Sequence, residues 1–207
     1  MVAIFYGVAG EGYGHAIRSK IVIDVLKKRH KVEVFAGGKA YGYISKSRPV
    51  NKIACFRFVH RRNSVSIVRT GLLNILLSPL VLIHLIKLIM RIKKEKPSVV
   101  ISDFEPLVTY AAMLCGKPCI SVNYPFLSNT YLRVYKITPS FKTKADYALT
   151  LLINWFLCPK KEVEIITTFF HDKDNGREKV AKPVLRESIL NAKTRIGDYV
   201  LVYQTSK

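Results

Sequence analysis

The sequence predicts an α/β fold built on a Rossmann-like, doubly wound parallel sheet. Two observations carry that prediction. The first 35 residues read strand, glycine-rich turn, helix, strand, the opening unit of such a sheet. Further on, short apolar runs at residues 98–102 and 118–122 flank a helical pattern, and strands alternating with helices imply a parallel sheet. A chain of 207 residues with 49% hydrophobic residues is long and apolar enough for one such domain with a sizeable core.

The elements follow in order. Ala3-Ile4-Phe5-Tyr6-Gly7-Val8 is a short apolar run suited to a strand buried on both faces. It enters Gly10-Glu11-Gly12-Tyr13-Gly14-His15, and a helical segment over 16–28 leads to a second strand at 32–35. Residues 37–44 read as a loop and short helix, and residues 53–59 as a third strand, followed by the basic loop His60-Arg61-Arg62-Asn63. Residues 65–96 carry a helical pattern interrupted by Pro79, so two helices or one kinked helix are expected. A fourth strand at 98–102, a helix at 107–114 and a fifth strand at 118–122 complete the expected sheet.

Residues 72–90 are almost continuously apolar and approach the length that spans a bilayer. Pro79, His84 and Lys87 inside the run, and its place between two sheet strands, argue against spanning. His84, Lys87, Arg91 and Lys94 recur along one stripe of its second half. The expectation is a helix dipping into an anionic membrane surface beside Arg91, Lys93, Lys94 and Lys96, with a greasy core helix as the alternative. A second apolar stretch at 147–158 places Trp155 near Pro159-Lys160-Lys161, as interfacial aromatics sit.

Lys and Arg outnumber Asp and Glu by 34 to 14, a formal charge of +20, which favours anionic partners. No nucleic-acid-binding signature is present, so a membrane surface explains the charge better than nucleic acid does. Cys55, Cys115, Cys119 and Cys158 lack metal-ligand spacing and read as small buried hydrophobes of a reducing compartment. The chain enters β-like sequence at residue 2 without a basic leader, so the expected location is cytoplasmic, peripheral at the membrane.

A sharp turn at the carboxyl end of a strand, opening a helix N-terminus, makes an anion- or sugar-sized cleft, here with His15 at its lip. Gly10-x-Gly12-x-Gly14 brings its third glycine one residue too early for dinucleotide binding. Ala36-Gly37-Gly38 stands where a ribose-binding carboxylate belongs. No nicotinamide, flavin or other cofactor is expected. His171-Asp172-Lys173-Asp174-Asn175-Gly176 contains Asp-x-Asp, but in a polar loop without calcium-loop spacing, so no metal is expected either.

Gly10-Glu11-Gly12-Tyr13-Gly14-His15-Ala16-Ile17-Arg18 resembles the amino-terminal loop of the GT-B glycosyltransferases, most of all the family 28 branch that holds the peptidoglycan N-acetylglucosaminyltransferase. Val99-Val100-Ile101-Ser102-Asp103-Phe104-Glu105-Pro106, Lys117-Pro118-Cys119-Ile120-Ser121-Val122-Asn123 and Pro183-Val184-Leu185-Arg186 fit the same family in the same order. The resemblance covers nearly the whole chain but only the N-terminal half of the family's usual protein. It implies transfer of a hexosyl group from a nucleotide-sugar donor to an acceptor hydroxyl. Together with the apolar stretches, it implies a lipid or lipid-linked acceptor.

Such transfer needs a base for the acceptor hydroxyl. In a 3-2-1-4-5 sheet, strands one and four are neighbours, and the loops after them carry His15 and Asp103. His15 is the expected base and Asp103 its orienting carboxylate, as a His/Asp pair does in relatives of this fold. The alternatives are that His15 positions the acceptor or a phosphate and that Asp103 caps a helix. Glu105 and Asn123 are secondary candidates for the acceptor site, and Gly10, Glu11, Gly12 and Gly14 form its loop.

The resemblance divides the chain into an acceptor-binding domain over 1–182 and, over 183–207, a linker with the first strand of a C-terminal donor domain. The expectation is a glycosyltransferase present as its N-terminal part. The alternative is a non-catalytic membrane-binding subunit or module of a split or degenerate enzyme.

Overall fold

The computed structural model describes residues 1–61, 64–123, 148, 151–152, 154–159, 162–169, 176–193, 197–200 and 202. In chain order they form β1 (Ala3–Val8), α1 (Tyr13–Lys27), β2 (Lys31–Ala36), α2 (Gly38–Ile44), β3 (Asn51–Lys52), β4 (His60–Arg61) and β5 (Ser64–Val65). There follow α3 (Ile67–Leu76), α4 (Ser78–Glu95), β6 (Val99–Asp103), α5 (Pro106–Leu114), β7 (Cys119–Asn123), β8 (Val163–Thr167), β9 (Glu178–Ala181) and α6 (Glu187–Leu190).

The described strands form a seven-stranded sheet in the order β3-β2-β1-β6-β7-β8-β9, with every pairing parallel. β4 and β5 pair separately as a small antiparallel ladder. Strand alternation sends Ile4, Tyr6 and Val8 of β1 to one face, where they meet Ala16 and Ile23 of α1 and Ala40 and Ile44 of α2. Phe5 goes to the other face, with Leu88 and Ile92 of α4 and Leu107, Val108 and Ala111 of α5. Helices therefore cover both faces, as the expected α/β class requires. At Gly7 a Cβ would lie 2.2 Å from a methyl of Val108, so β1 and α5 approach as closely as they do only because that residue is glycine.

Two expectations need correction. The third strand is only Asn51–Lys52, paired with Phe35 and Ala36, and not residues 53–59. Those residues alternate like a strand, with Ile53 and Cys55 buried. Yet the N–H groups of Arg57, Phe58 and Val59 donate to the side chains of Asn74, Glu11 and Thr70 instead of to a neighbouring strand. The sheet also continues through β8 and β9, which sequence reading left out. Of the segment expected to open a C-terminal domain, residues 198–200 and 202 are described and belong to no strand, with Tyr199, Val200 and Val202 exposed; the rest lies outside the described residues.

The interrupted helical segment is two helices, α3 and α4, bent by 57° at their junction. Pro79 sits in the first turn of α4, where a missing N–H costs nothing. No single described helix is long and apolar enough to cross a membrane. Leu88 and Ile92 bury one face of α4, while Leu80, Leu82, Ile83, Ile86 and Met90 are exposed, as are Val68, Leu72, Ile75 and Leu76 of α3. The segment is thus a core helix on one side and an uncovered apolar surface on the other. Cys55, Cys119 and Cys158 are buried, and none of the four cysteines forms a disulfide.

Candidate active site

In this sheet order β1 and β6 are adjacent although the chain leaves β1 toward β2, so the loops following them diverge and open a crevice. Val8 is in register with Asp103, and the N–H of Ala9 donates to the Asp103 carbonyl at 3.0 Å. The glycine loop then climbs into α1, whose N-cap is Gly12 at φ 73°, a backbone conformation that favours glycine. Gly10 is required for a different reason. A Cβ there would fall 2.6 Å from the Cys55 sulfur, so the loop lies directly against residue 55.

α1 directs three side chains at Asp103. His15 Nδ1 lies 2.6 Å from Oδ1, Arg18 Nε donates to Oδ2 at 3.1 Å and its Nη2 to Oδ1, and Ser19 Oγ donates to Oδ2 at 2.6 Å. Asp103 has no solvent exposure. Burial alone would raise its pKa, but the His15 hydrogen bond and the Arg18 charge outweigh it and hold the carboxyl below its ordinary value. An ionised carboxylate only accepts, so Nδ1 must carry the proton and Nε2 is the basic nitrogen of this imidazole. The ring is 19% exposed and stacks on Phe104, centroids 6.1 Å apart and planes 14° from parallel. Phe104 holds φ 54°, a left-handed conformation that a bulky residue seldom adopts and that fits a constrained site.

Glu105 is the second acid of the site. Its N–H donates to Ser102 Oγ at 2.9 Å, and its Oε2 caps α5 by accepting from the Val108 N–H at 2.9 Å. The helix cap is therefore Glu105, not Asp103. Oε1 is buried without a hydrogen-bond partner, and burial pushes the pKa up to about 8 despite the backbone donors at Val108 and Leu107. At neutral pH this is largely a protonated carboxyl, able to donate as well as accept. It lines a cleft of about 100 Å³ together with Gly10, Glu11, His15, Phe56 and Phe104.

The structure thus brings His15, Asp103, Glu105, Gly10 and Glu11 to one place. Glu11 does more than face solvent, since its Oε1 accepts from the Phe58 N–H at 3.2 Å and ties the 53–59 segment over the cleft. Gly12 and Gly14 lie in the turn and first helical turn and do not line it. Asn123 ends β7 on the same sheet edge, but its amide donates to Glu164 and it is not among the lining residues. Sequence reading missed Arg18 and Ser19, both buried. Their signal was their spacing of three and four residues from His15, which puts all three on one helix face. Arg18 also reaches Thr167 Oγ1 at 3.1 Å, linking β6 to β8. No group of side chains among the described residues could hold a metal, and Asp172 and Asp174 lie outside them.

The profile of a family described as glycosyl transferase family 1 matches residues 2–207. The chain belongs to that family. Among solved structures, the fold resembles that of MurG from Acinetobacter baumannii, at 16% identity and TM-score 0.51 over 88% of this chain and 45% of that one. It also resembles Phytolacca americana UGT2 complexed with UDP-2fluoro-glucose and pterostilbene, at 14% identity and TM-score 0.57, covering 91% and 56%. A UDP-glucosyltransferase from Polygonum tinctorium matches at 14% identity and TM-score 0.52, covering 87% and 52%. The likeness is one of fold, that of the GT-B glycosyltransferases, and the chain spans about half the length of these structures. No curated protein matches it.

Proposed function

We propose that the protein transfers a hexosyl group from a nucleotide-sugar to the hydroxyl of a lipid or lipid-linked acceptor, with His15 as general base and Asp103 as its positioning residue. The observation that carries this reading is the 2.6 Å pairing of His15 Nδ1 with a buried, ionised Asp103 at the lip of a cleft. Asp103 keeps the proton on Nδ1, so Nε2 takes the proton of the acceptor O–H. As it does, the acceptor oxygen forms a bond to the anomeric carbon, and the bond from that carbon to the donor phosphate breaks, its electrons leaving with the nucleotide. Arg18 and Ser19 share the carboxylate, so Asp103 acts by orienting the ring more than by supplying charge. Glu105, protonated at neutral pH, supplies a donor and an acceptor for a second acceptor hydroxyl.

In this reading residues 1–182 bind the acceptor, and the nucleotide is held by a C-terminal domain joined through residues 183–207. The placement in the family 28 branch belongs to the same proposal and rests on the loop and strand motifs of the sequence. The exposed apolar residues of α3 and α4, beside Lys87, Lys93 and Lys94, support peripheral attachment to an anionic membrane on the cytoplasmic side. The same surface would serve a non-catalytic membrane-binding module equally well. The two readings are separated by incubating the protein, joined to the C-terminal donor domain that the first reading requires, with anionic vesicles, a lipid extract and a panel of radiolabelled nucleotide-sugars. Label entering the lipid phase with wild type, and lost with His15→Ala, is expected. Vesicle binding with no label transferred by either protein would favour the module.

A further inference from the structure

Next to the cleft lies a larger apolar groove of about 450 Å³, between α3, α4 and α5, within the range of about 300–1,000 Å³ typical of small-molecule sites. Phe56, Pro106 and Leu157 line both the groove and the cleft, so the two spaces adjoin. Two of the three polar side chains along the groove, Asn74 and Tyr110, are engaged elsewhere. Asn74 donates to the carbonyls of Arg57 and Thr70 at 2.8 and 2.7 Å and accepts from the Arg57 N–H, and the Tyr110 hydroxyl donates to the Phe156 carbonyl. Apart from the Ser78 hydroxyl, what remains for a ligand is hydrocarbon: Ile75, Val81, Leu85, Leu107 and Phe156 among others. A molecule whose hydroxyl sits at His15 therefore has an apolar trough for the part that does not react.

We propose that this groove binds a single hydrocarbon chain of the acceptor, a deepening that rests on the sugar-transfer reading above. Two observations select a chain over a compact aromatic ring. The groove is flanked at Ile75 and Ser78 by the α3–α4 junction, where Leu72, Leu76 and Leu80 are exposed, so a chain longer than the groove continues onto apolar surface and not into water. That same surface carries the lysines expected to meet anionic lipid, which places the groove beside the bilayer from which a chain would be drawn. Gly71 lines the groove, and a Cβ there meets nothing within 4 Å. A bulky side chain at this position enters open space, and replacing a helix-interior glycine favours the helix.

The test is calorimetric titration of the full chain with n-alkyl β-glucosides from hexyl to decyl, each below its micelle concentration. Affinity is expected to rise about two- to fourfold per added methylene, the increment for burying hydrocarbon. Gly71→Trp is expected to weaken decyl glucoside binding by about tenfold or more and to leave hexyl glucoside within about twofold, because only the longer chain reaches the filled part. Ile75→Lys, at an exposed lining position, is a second variant expected to act in the same direction. Affinity independent of chain length, or both variants binding decyl glucoside like wild type, would overturn the proposal. So would 2-naphthol binding more tightly than decyl glucoside, which would make the groove an aromatic pocket. Binding is read without turnover, so chain binding together with no sugar transfer by the protein joined to its donor domain would sink the sugar-transfer reading alone. Transfer with no chain-length dependence would sink the groove alone. Vesicle flotation by Gly71→Trp equal to wild type separates the groove from the membrane-facing surface.

Discussion

Asp103 takes donors from His15, Arg18 and Ser19 of one helix and has no contact with water, so it carries structural as well as chemical weight. Asp103→Asn leaves the buried Arg18 without its counter-charge, and a loss of about 3–5 kcal/mol in urea unfolding at neutral pH is expected. Because the folded pKa lies below the ordinary carboxyl value of 3.8, this stabilisation is present above that pH and fades as pH falls through the lower folded value. The Asn variant should therefore show a shallower acid limb below about pH 4. Glu105 works in the opposite sense. Its pKa is raised from 4.5 to about 8, so its contribution is fully present below pH 4.5 and is lost as pH rises toward 8. Glu105→Gln keeps the cap acceptor and removes the titration. It should match wild type near pH 5 and exceed it at pH 8–9 by an amount on the order of a few kcal/mol, measured by denaturant unfolding at both pH values. Of these residues His15, Asp103 and Glu105 were legible in the sequence, from a glycine loop and from the end of a strand. Arg18 was not weighed, because a basic residue on a helix of a chain this basic reads as solvated until Asp103 is placed opposite it.

At the scale of elements, two contacts decide how the site is held. β1 meets α5 through Gly7 and Val108, and Gly7→Ala should cost about 1–3 kcal/mol by overpacking, with Val108→Ala restoring part of it in the double variant. Additive losses in that cycle would show that the two residues do not act on each other. The helix pair α3–α4 presents its apolar side chains outward beside Lys87 and Lys94. Each basic residue near an anionic bilayer contributes about 1 kcal/mol, so Lys87→Gln combined with Lys94→Gln should weaken flotation with anionic vesicles by about twenty- to thirtyfold, less at high salt. Binding indifferent to both lipid charge and salt would remove the electrostatic part of the membrane reading. Periodicity revealed the break at Pro79 but not which side of α4 packs inward, since that depends on α5 and β6 being laid beside it. The 53–59 segment misled for a related reason. Alternating burial is shared by strands and by loops that cross a cleft, and only the side-chain partners of its N–H groups tell them apart.

For the whole molecule, the parallel order around β1 was readable because β1, β2, β6 and β7 are each a largely apolar run closed by a glycine, proline or polar turn. β8 and β9 were not. Val163–Thr167 opens beside charged residues after Pro159, and Glu178–Ala181 is a four-residue edge strand, too short for a periodic signal. Yet β8 matters to the site, since Thr167 on it receives Arg18 and so braces the helix that carries His15. The central proposal is that His15 removes the acceptor proton. The most direct measurement of it is kcat for sugar transfer by His15→Ala against wild type, both joined to the C-terminal donor domain, with the donor KM followed in parallel. The account predicts a fall in kcat of about 10²–10⁴-fold with donor KM little changed, the cost of losing a general base and nothing else. Turnover within about threefold of wild type would contradict it, and would leave the His15–Asp103 pair as a structural clasp between α1 and β6.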